Sequence, residues 1–204
     1  MRLKIPNTMA DVTLGQYQEF EAMRLSTKDV NEMVLKTIEI FCGIKNAREI
    51  ELESISRIEK HLSDMLTETP TLKPFAGNLG FVPNLTDITF GELIDLDKYL
   101  TDVSNWHKAM AVLYRPVTHR FRDKYNIAPY EGTAATSEDR KQLPLDVAMG
   151  AVVFFWTIAT HLVSDTLPFL EQEMKIVTTF HRMPFLQNGG DGIRAFSNSQ
   201  MATS

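Results

Sequence analysis

One helix-start motif occurs twice in this sequence, and it constrains the fold more than any other feature. The first motif is residues 5–17, with IPN at 5–7 and DVTLGQY at 11–17, and the second is residues 82–93, with VPN at 82–84 and DITFGEL at 87–93. Each contains a capping box, in which an N-cap hydroxyl and the N3 side chain bond each other's backbone amides, and a hydrophobic staple across it. The boxes are Thr13 with Gln16 and Thr89 with Glu92, and the staples are Val12 with Tyr17 and Ile88 with Leu93. The repeat indicates either a duplicated module or one local solution used twice.

Two further helices are predicted between the motifs. Apolar residues recur at helical spacing over 30–41, after a cap at Ser26 or Asp29, and Gly43 suits the residue after the helix end. A second helix follows from a capping box at Asn46 and Glu49 and ends before Pro70. The short connection makes this pair antiparallel.

The period changes between residues 72 and 82. Gly77-Asn78 lies between the apolar segments 73–75 and 79–82 and favours a tight turn with positive φ. We therefore predict a small β-hairpin, too short to be stable without helices that cover one face.

Two long helices are predicted in the second half of the chain. The first runs from the second motif through Tyr114 and is stopped by Pro116. The other begins at Pro144 and Asp146 and forms the central core helix, with Phe154 and Trp156 buried. We expect Pro168 to kink it or end it at residue 167, and a second helical piece to follow over 171–180.

These elements define a mainly α fold of about five or six helices with one small β-hairpin. We expect a single helical domain over residues 1–182, with 1–70 and 71–182 as its two halves if the motif marks a duplication. Residues 183–204, which include Gly189-Gly190 and many small polar side chains, should form an extended or disordered tail.

Composition excludes several classes of function. The 204 residues carry 21 cationic and 26 acidic side chains, a net charge of −5, so no global basic field supports nucleic-acid binding. The single cysteine, Cys42, permits no internal disulfide, and the N-terminus lacks the pattern of a secretory signal. The apolar run at 148–159 is shorter than the roughly 20 residues of a membrane span. We expect a protein without a membrane or nucleic-acid partner.

Residues that could carry chemistry have simpler structural explanations. The five histidines lack metal-ligand spacing, and His107 on an apolar stripe is typical of a hydrogen-bonded core or interface residue. The carboxylates Glu92, Asp95, Asp97 and Asp102 suit a helix beginning, where the dipole favours negative charge. Cys42 fits a buried structural thiol, and no phosphate-binding glycine loop is present. The sequence therefore predicts no catalytic residue, cofactor, metal or small-molecule substrate.

Two segments without helical periodicity are the candidate contact surfaces. Residues 117–142 form a long predicted loop. A basic cluster with aromatic residues interleaved lies at its start, and this cluster suits either a solvated helix end or contact with an acidic or phosphate-bearing partner. The tail carries apolar anchors of the kind found in interfaces. The candidate protein-binding residues are Arg115, Arg120, Phe121, Arg122, Tyr125, Tyr130, Phe185, Leu186 and Phe196.

Four segments resemble a group of small proteins of tailed bacteriophages. They are residues 81–96 (FVPNLTDITFGELIDL), 110–117 (MAVLYRPV), 11–17 (DVTLGQY) and 40–44 (IFCGI). The resemblance spans residues 1–165, and the plan of helices around a short hairpin is similar to that of tail assembly chaperones. It implies a non-enzymatic, protein-binding role in tail morphogenesis.

Three hypotheses about function follow. The first is a tail assembly chaperone, the second is a permanent virion component of the neck, tail or baseplate, and the third is a small enzyme of unrecognised type. The first two imply other phage tail or neck proteins as partners, with a homo-oligomer also open, and place the protein in the host cytoplasm during assembly or in the virion.

Overall fold

The computed structural model describes residues 3–122 and 124–170, without the side chains of Leu85 and residues 159–170. Seven α-helices and four β-strands make up this part of the chain. The helices are α1 (Leu14–Ser26), α2 (Val30–Cys42), α3 (Leu52–Leu66), α4 (Phe90–Leu100), α5 (Trp106–Leu113), α6 (Ser137–Arg140) and α7 (Leu145–Leu170). The strands are β1 (Phe75–Ala76), β2 (Leu79–Phe81), β3 (Tyr114–Phe121) and β4 (Lys124–Ile127). The prediction of a mainly helical fold is confirmed.

Both predicted capping boxes are present. In the first motif the Gln16 N–H donates to Thr13 Oγ1 at 3.2 Å, and the Thr13 N–H donates to Gln16 Oε1 at 2.9 Å. The second motif has the same two bonds, at 3.3 Å and 2.7 Å, between Glu92 and Thr89. A 3-10 turn precedes each box, at Met9–Asp11 and at Leu85–Asp87. The repeated sequence thus codes one local structure twice.

The α2–α3 pair differs from its prediction at one end. Gly43 ends α2 in the left-handed conformation, with φ of 64°, and α3 ends at Leu66, as expected. The capping box expected at Asn46 does not start α3, which begins at Leu52. Asn46 instead accepts from the Arg48 N–H and caps only a 3-10 turn at Ala47–Glu49. One turn satisfies the cap, and the chain then extends again at Ile50 before α3 begins.

The prediction of a single hairpin is wrong, because four strands form one antiparallel sheet in the order β1-β2-β3-β4. The hairpin at Gly77-Asn78 exists, with Ala76 opposite Leu79, but Gly80 also pairs with Arg115 on β3. The structureless loop expected over 117–142 is therefore wrong as well. Its first part completes β3 and β4, and its later part contains α6. Valine, threonine and aromatic residues over 114–121 suit a strand, and this preference outweighs the charges among them.

The long helix expected from the second motif to Tyr114 is interrupted. Its first piece, α4, ends at Leu100. Asp102 then accepts from the Ser104 N–H at 2.9 Å, caps a 3-10 turn at Val103–Asn105 and so restarts the chain as α5. The three–four apolar spacing survives the break because one turn of 3-10 helix joins two helices that both face the core.

The last helix, α7, supplies a large part of the core with its first half. Leu145, Ala148 and Ala151 are fully buried, and Phe155 is 8% exposed. Phe154 and Trp156, which were predicted to be buried, are only half-buried, since they flank the buried stripe. The helix does not end at residue 167, because residues 168–170 are still helical.

The core lies between α1, α5 and the first half of α7, with the sheet and α3 at its sides. Among its most deeply buried side chains are Leu14, Ile38, Leu96 and Tyr114. The predicted helical piece at 171–180 and the predicted tail at 183–204 lie outside the described residues.

We expect the two capping threonines to contribute equally to stability. Thr13→Ala and Thr89→Ala should each lower the free energy of unfolding by about 1 kcal/mol, since each removes a side-chain bond to an N3 amide. Thr136→Ala is the matched control, because Thr136 precedes α6 without a side-chain capping bond. Urea melts measure all three. A loss for Thr136→Ala as large as for the other two would show that the capping bonds are not the cause.

Candidate functional site

The predicted protein-binding residues separate into three groups. Arg115 and Tyr130 lie in an internal cluster against α4, and four others lie on the β3–β4 hairpin (residues 114–127). Those four are Arg120, Phe121, Arg122 and Tyr125. Phe185, Leu186 and Phe196 lie outside the described residues. The structure therefore brings the hairpin residues together and assigns Arg115 and Tyr130 a different position.

The internal cluster fixes the base of the hairpin to the start of α4. Arg115 Nη2 lies 2.9 Å from Glu92 Oε1, and both side chains are largely buried, with exposed fractions of 12% and 3%. Glu92 uses its other oxygen to close the capping box. One carboxylate therefore completes the start of α4 and pairs with the second residue of β3.

Tyr130 closes the cluster from the other side. Its ring lies under the Arg115 guanidinium, 6.0 Å from the guanidinium carbon to the ring centroid, and its hydroxyl donates to Asp95 Oδ2 at 2.5 Å. Burial, followed by the bond to the Asp95 carboxylate, raises the pKa of the Tyr130 hydroxyl. The tyrosine therefore stays neutral and remains a donor at physiological pH.

The tip of the hairpin is cationic, aromatic and exposed. Phe121 is 64% exposed, with the Arg122 guanidinium 5.2 Å from its ring centroid. Arg120 lies over the Phe75 ring of β1 at 4.3 Å. Arg122 has a φ of 55°, a left-handed conformation uncommon for a non-glycine residue, at the turn between Phe121 and Lys124. The turn therefore places an exposed aromatic ring and guanidinium groups at the end of the strand pair.

Tyr125 holds this hairpin against the rest of the sheet. Its ring packs against Phe75 at a tilt, with centroids 4.6 Å apart, and its hydroxyl donates to the Phe81 carbonyl at 2.7 Å. The ring crosses β2 at Gly80, where a Cβ would lie only 2.7 Å from a Tyr125 ring carbon. Gly80 is needed at this position because any side chain would collide with the tyrosine.

The charge of the hairpin tip opposes that of the whole protein. Residues 119–124 hold three cationic residues and one acidic residue, Asp123, in a chain with a net charge of −5. Within the described part of the chain, Arg120, Arg122 and Lys124 form no ion pair. The tip thus keeps its positive charge available to solvent or to a partner.

Sequence reasoning missed Glu92, Phe75 and Gly80 as parts of this site. Glu92 was assigned with three other carboxylates to the helix dipole, and the ion pair with Arg115 corrects that reading. Phe75 lies 45 residues before Arg120, and Gly80 lies 45 before Tyr125. Only the pairing of the hairpin with β2 connects them, and no local pattern in the sequence indicates that pairing.

His107 is a buried, hydrogen-bonded residue, as predicted. The Gln18 side-chain amide donates to His107 Nδ1 at 3.0 Å, and His107 Nε2 faces Glu138 Oε1 at 3.6 Å. Burial and the Lys141 charge lower the pKa of the imidazole from its ordinary 6.5, against the opposing effect of Glu138. Cys42 is also buried, and burial raises the pKa of its thiol.

A groove of about 750 Å³ is lined by residues of the N-terminal segment and by residues around the connection between α2 and α3. Its floor is apolar, with Ile44, Ile50 and Ile58, and its rim includes Arg57 and His61. His61 Nε2 donates to the Pro6 carbonyl at 2.9 Å and so ties the first motif to α3. The histidine here has a structural partner.

Breaking the buried ion pair should be costly. Arg115→Met should lower the free energy of unfolding by ~3–5 kcal/mol, because it leaves the Glu92 carboxylate buried without a partner. Glu92→Gln should keep the capping box, as Gln16 does in the first motif, while still removing the charge. The double variant should lose less than the sum of the single variants. Arg120→Met is the control, within about 0.5 kcal/mol of wild type in urea melts. Additive losses in the cycle would contradict the pairing.

Stability should fall as the pH is lowered through the range in which histidine titrates. The pKa of His107 is lower in the folded state than in the unfolded chain, so the unfolded state binds a proton first as the pH falls from about 7 to 5. The free energy of unfolding therefore decreases over this range. His107→Gln should reduce this pH dependence, measured as the free energy of unfolding at each pH. His119→Gln, at an exposed position of β3, controls for loss of an imidazole. An unchanged slope in His107→Gln would contradict this assignment.

In the described residues, no group of three or more histidine, cysteine or acidic side chains is arranged to hold a metal ion. No helix in that part is both long and apolar enough to cross a bilayer. Comparison with family models, curated proteins and solved structures found no match to this chain.

Proposed function

We propose that this protein is a non-enzymatic binding factor in tail morphogenesis of a tailed phage, acting as a tail assembly chaperone. The observation that carries the proposal of binding is the hairpin tip, where the exposed Phe121 stands between two arginines in the sequence of an otherwise acidic protein. The segments that resemble small tailed-phage proteins supply the biological setting.

Three features of the tip suit protein binding. Arginine and aromatic side chains are enriched in interface hot spots, because they bury large flat surfaces and still hydrogen bond. Arg120 and Arg122 are already placed against aromatic rings, which limits the side-chain entropy that binding would remove. The Tyr125 anchor and the Arg115–Glu92 pair hold the strands beneath the tip.

The charge of the tip indicates the chemistry of the partner. Guanidinium groups pair with carboxylates through two parallel hydrogen bonds, so an acidic surface with an apolar depression for Phe121 would complement the tip. A tail or neck protein with such a surface is the expected partner. Its association rate should fall as salt is added, since exposed charges are screened within about 8 Å at physiological ionic strength.

A permanent place in the neck, tail or baseplate is the second candidate function. The same surface would serve equally well in a fixed contact, so the two roles differ in the fate of the protein. Peptide mass spectrometry of purified particles separates them. A chaperone should be absent from particles and present in infected cells, whereas a component should be present in fixed stoichiometry.

Reversing the charge of the tip and removing its ring should abolish partner capture. We expect Arg120→Glu/Phe121→Ser to weaken binding of tail or neck proteins in a co-expression pull-down by at least about 100-fold, equal to two contacts of ~1.4 kcal/mol each. Lys60→Glu, an exposed charge reversal on α3, is the matched control and should bind as wild type does. Equal capture by the tip variant would contradict the hairpin as the contact surface. Turnover of a metabolite by the purified protein would instead favour an enzyme.

A further inference from the structure

The two helix-start motifs have the same local structure but different surroundings. In the first motif Val12 and Leu14 are fully buried and Tyr17 is 4% exposed. At the corresponding positions of the second motif, Ile88 is half-buried, Phe90 is 70% exposed and Leu93 is 38% exposed. Ile94, one residue further along α4, is 52% exposed and extends this apolar face. One motif is covered and the other is open.

The connection between α6 and α7 covers the first motif. Residues 141–145 (KQLPL) run antiparallel to it, with Thr13 and Pro144 forming an isolated bridge. The N–H groups of Leu14 and Gly15 donate to the carbonyls of Leu143 and Lys141, each at 2.8 Å, and the Leu145 N–H donates to the Val12 carbonyl at 2.8 Å. Backbone carbonyls of residues 141–145 therefore accept from the first two amides of α1. Leu143 and Leu145 are buried, as Val12 and Leu14 are.

The second motif offers the same groups without such a segment. No carbonyl of the described residues accepts from the Phe90 or Gly91 amide. A Cβ on Gly15 would lie 3.3 Å from the Lys141 Cβ, whereas a Cβ on Gly91 would meet nothing within 4 Å. Among residues 3–122 and 124–170, none fills at the second motif the space that residues 141–145 fill at the first.

We propose that residues 181–185 of this chain (HRMPF) dock on the second motif as residues 141–145 dock on the first. Both segments carry an apolar residue, a proline and a second apolar residue, with a cationic or imidazole side chain two positions before the triplet. The chain contains two more apolar-proline-apolar triplets, at 128–130 and 167–169. The first already bonds Asp95 through Tyr130, and the second lies in α7, so 183–185 is the triplet left to dock.

Chain length permits this occupant. Phe154 of α7 packs on Phe81 with ring centroids 5.7 Å apart, and Phe81 lies nine residues before Phe90. The 16 residues of α7 beyond Phe154 span about 24 Å, and the 15 residues after Leu170 reach up to about 50 Å. The chain is long enough to return to the second motif.

Disulfide trapping in the full-length protein tests the contact and its register. In a Cys42→Ala background, Gly91→Cys is combined with His181→Cys, the pair that corresponds to Gly15 and Lys141. Because Cβ atoms about 3.8 Å apart suit a disulfide, this pair should oxidise roughly tenfold faster than Gly91→Cys with Asn188→Cys, which the proposed register does not bring together. Gly15→Cys with Lys141→Cys is the positive control.

The outcomes are distinct. An intramolecular disulfide at 91–181, identified by peptide mass spectrometry in a monomer, supports the proposal. A 91–181 disulfide between two chains would overturn it and identify the tail of another molecule as the occupant. Equal rates for the 91–181 and 91–188 pairs, with the positive control formed, would overturn docking altogether.

Hydrogen exchange gives a second measurement that needs no cysteine. In full-length protein, Met183→Ser/Phe185→Ser should raise the exchange rate of the Phe90 and Gly91 amides by roughly tenfold, because it removes the apolar anchors that hold the segment. The Leu14 and Gly15 amides should exchange as in wild type. Unchanged exchange at Phe90 and Gly91 would overturn the proposal.

Discussion

The ion pair between Glu92 and Arg115 joins the helical and β parts of this protein. Glu92 is held in place by its own capping box, so its carboxylate is oriented before Arg115 reaches it. Arg115 is the second residue of β3, and the direction of that strand determines where the hairpin tip points. Any packing of β3 on α4 that separated Glu92 from Arg115 would leave a buried charge unpaired. The pair therefore favours one placement of the strand on the helix.

The two motifs illustrate how far local sequence determines structure. Each capping box involves residues three positions apart, so the sequence alone predicts both the helix starts and their hydrogen bonds. Burial is not local in this sense. Leu14 is buried and Phe90 is exposed although they occupy the same place in the motif, because residues 141–145 lie on one motif only.

Part of the candidate site could be predicted because it, too, depends on residues that are close in the sequence. Arg120, Phe121, Arg122 and Tyr125 lie within six residues, so their proximity follows from chain connectivity. The role of Arg115 was not predictable, because its partner Glu92 lies on α4, far from β3 in the sequence. The helix dipole alone explains a carboxylate at the Glu92 position, so nothing in the sequence indicates the ion pair. The sheet was underestimated because β3 carries charged residues between its β-branched and aromatic ones, and its pairing with Leu79 and Gly80 spans more than 30 residues.

Photocrosslinking at the hairpin tip tests most directly whether the protein acts through this surface. A photoreactive phenylalanine analogue at position 121, and the same analogue at position 60 on α3, would be expressed in infected host cells and irradiated during assembly. We expect position 121 to crosslink to a phage tail or neck protein and position 60 to give only background. Crosslinks of equal yield from both positions, or none from position 121 while the protein is functional, would contradict a contact role for the hairpin.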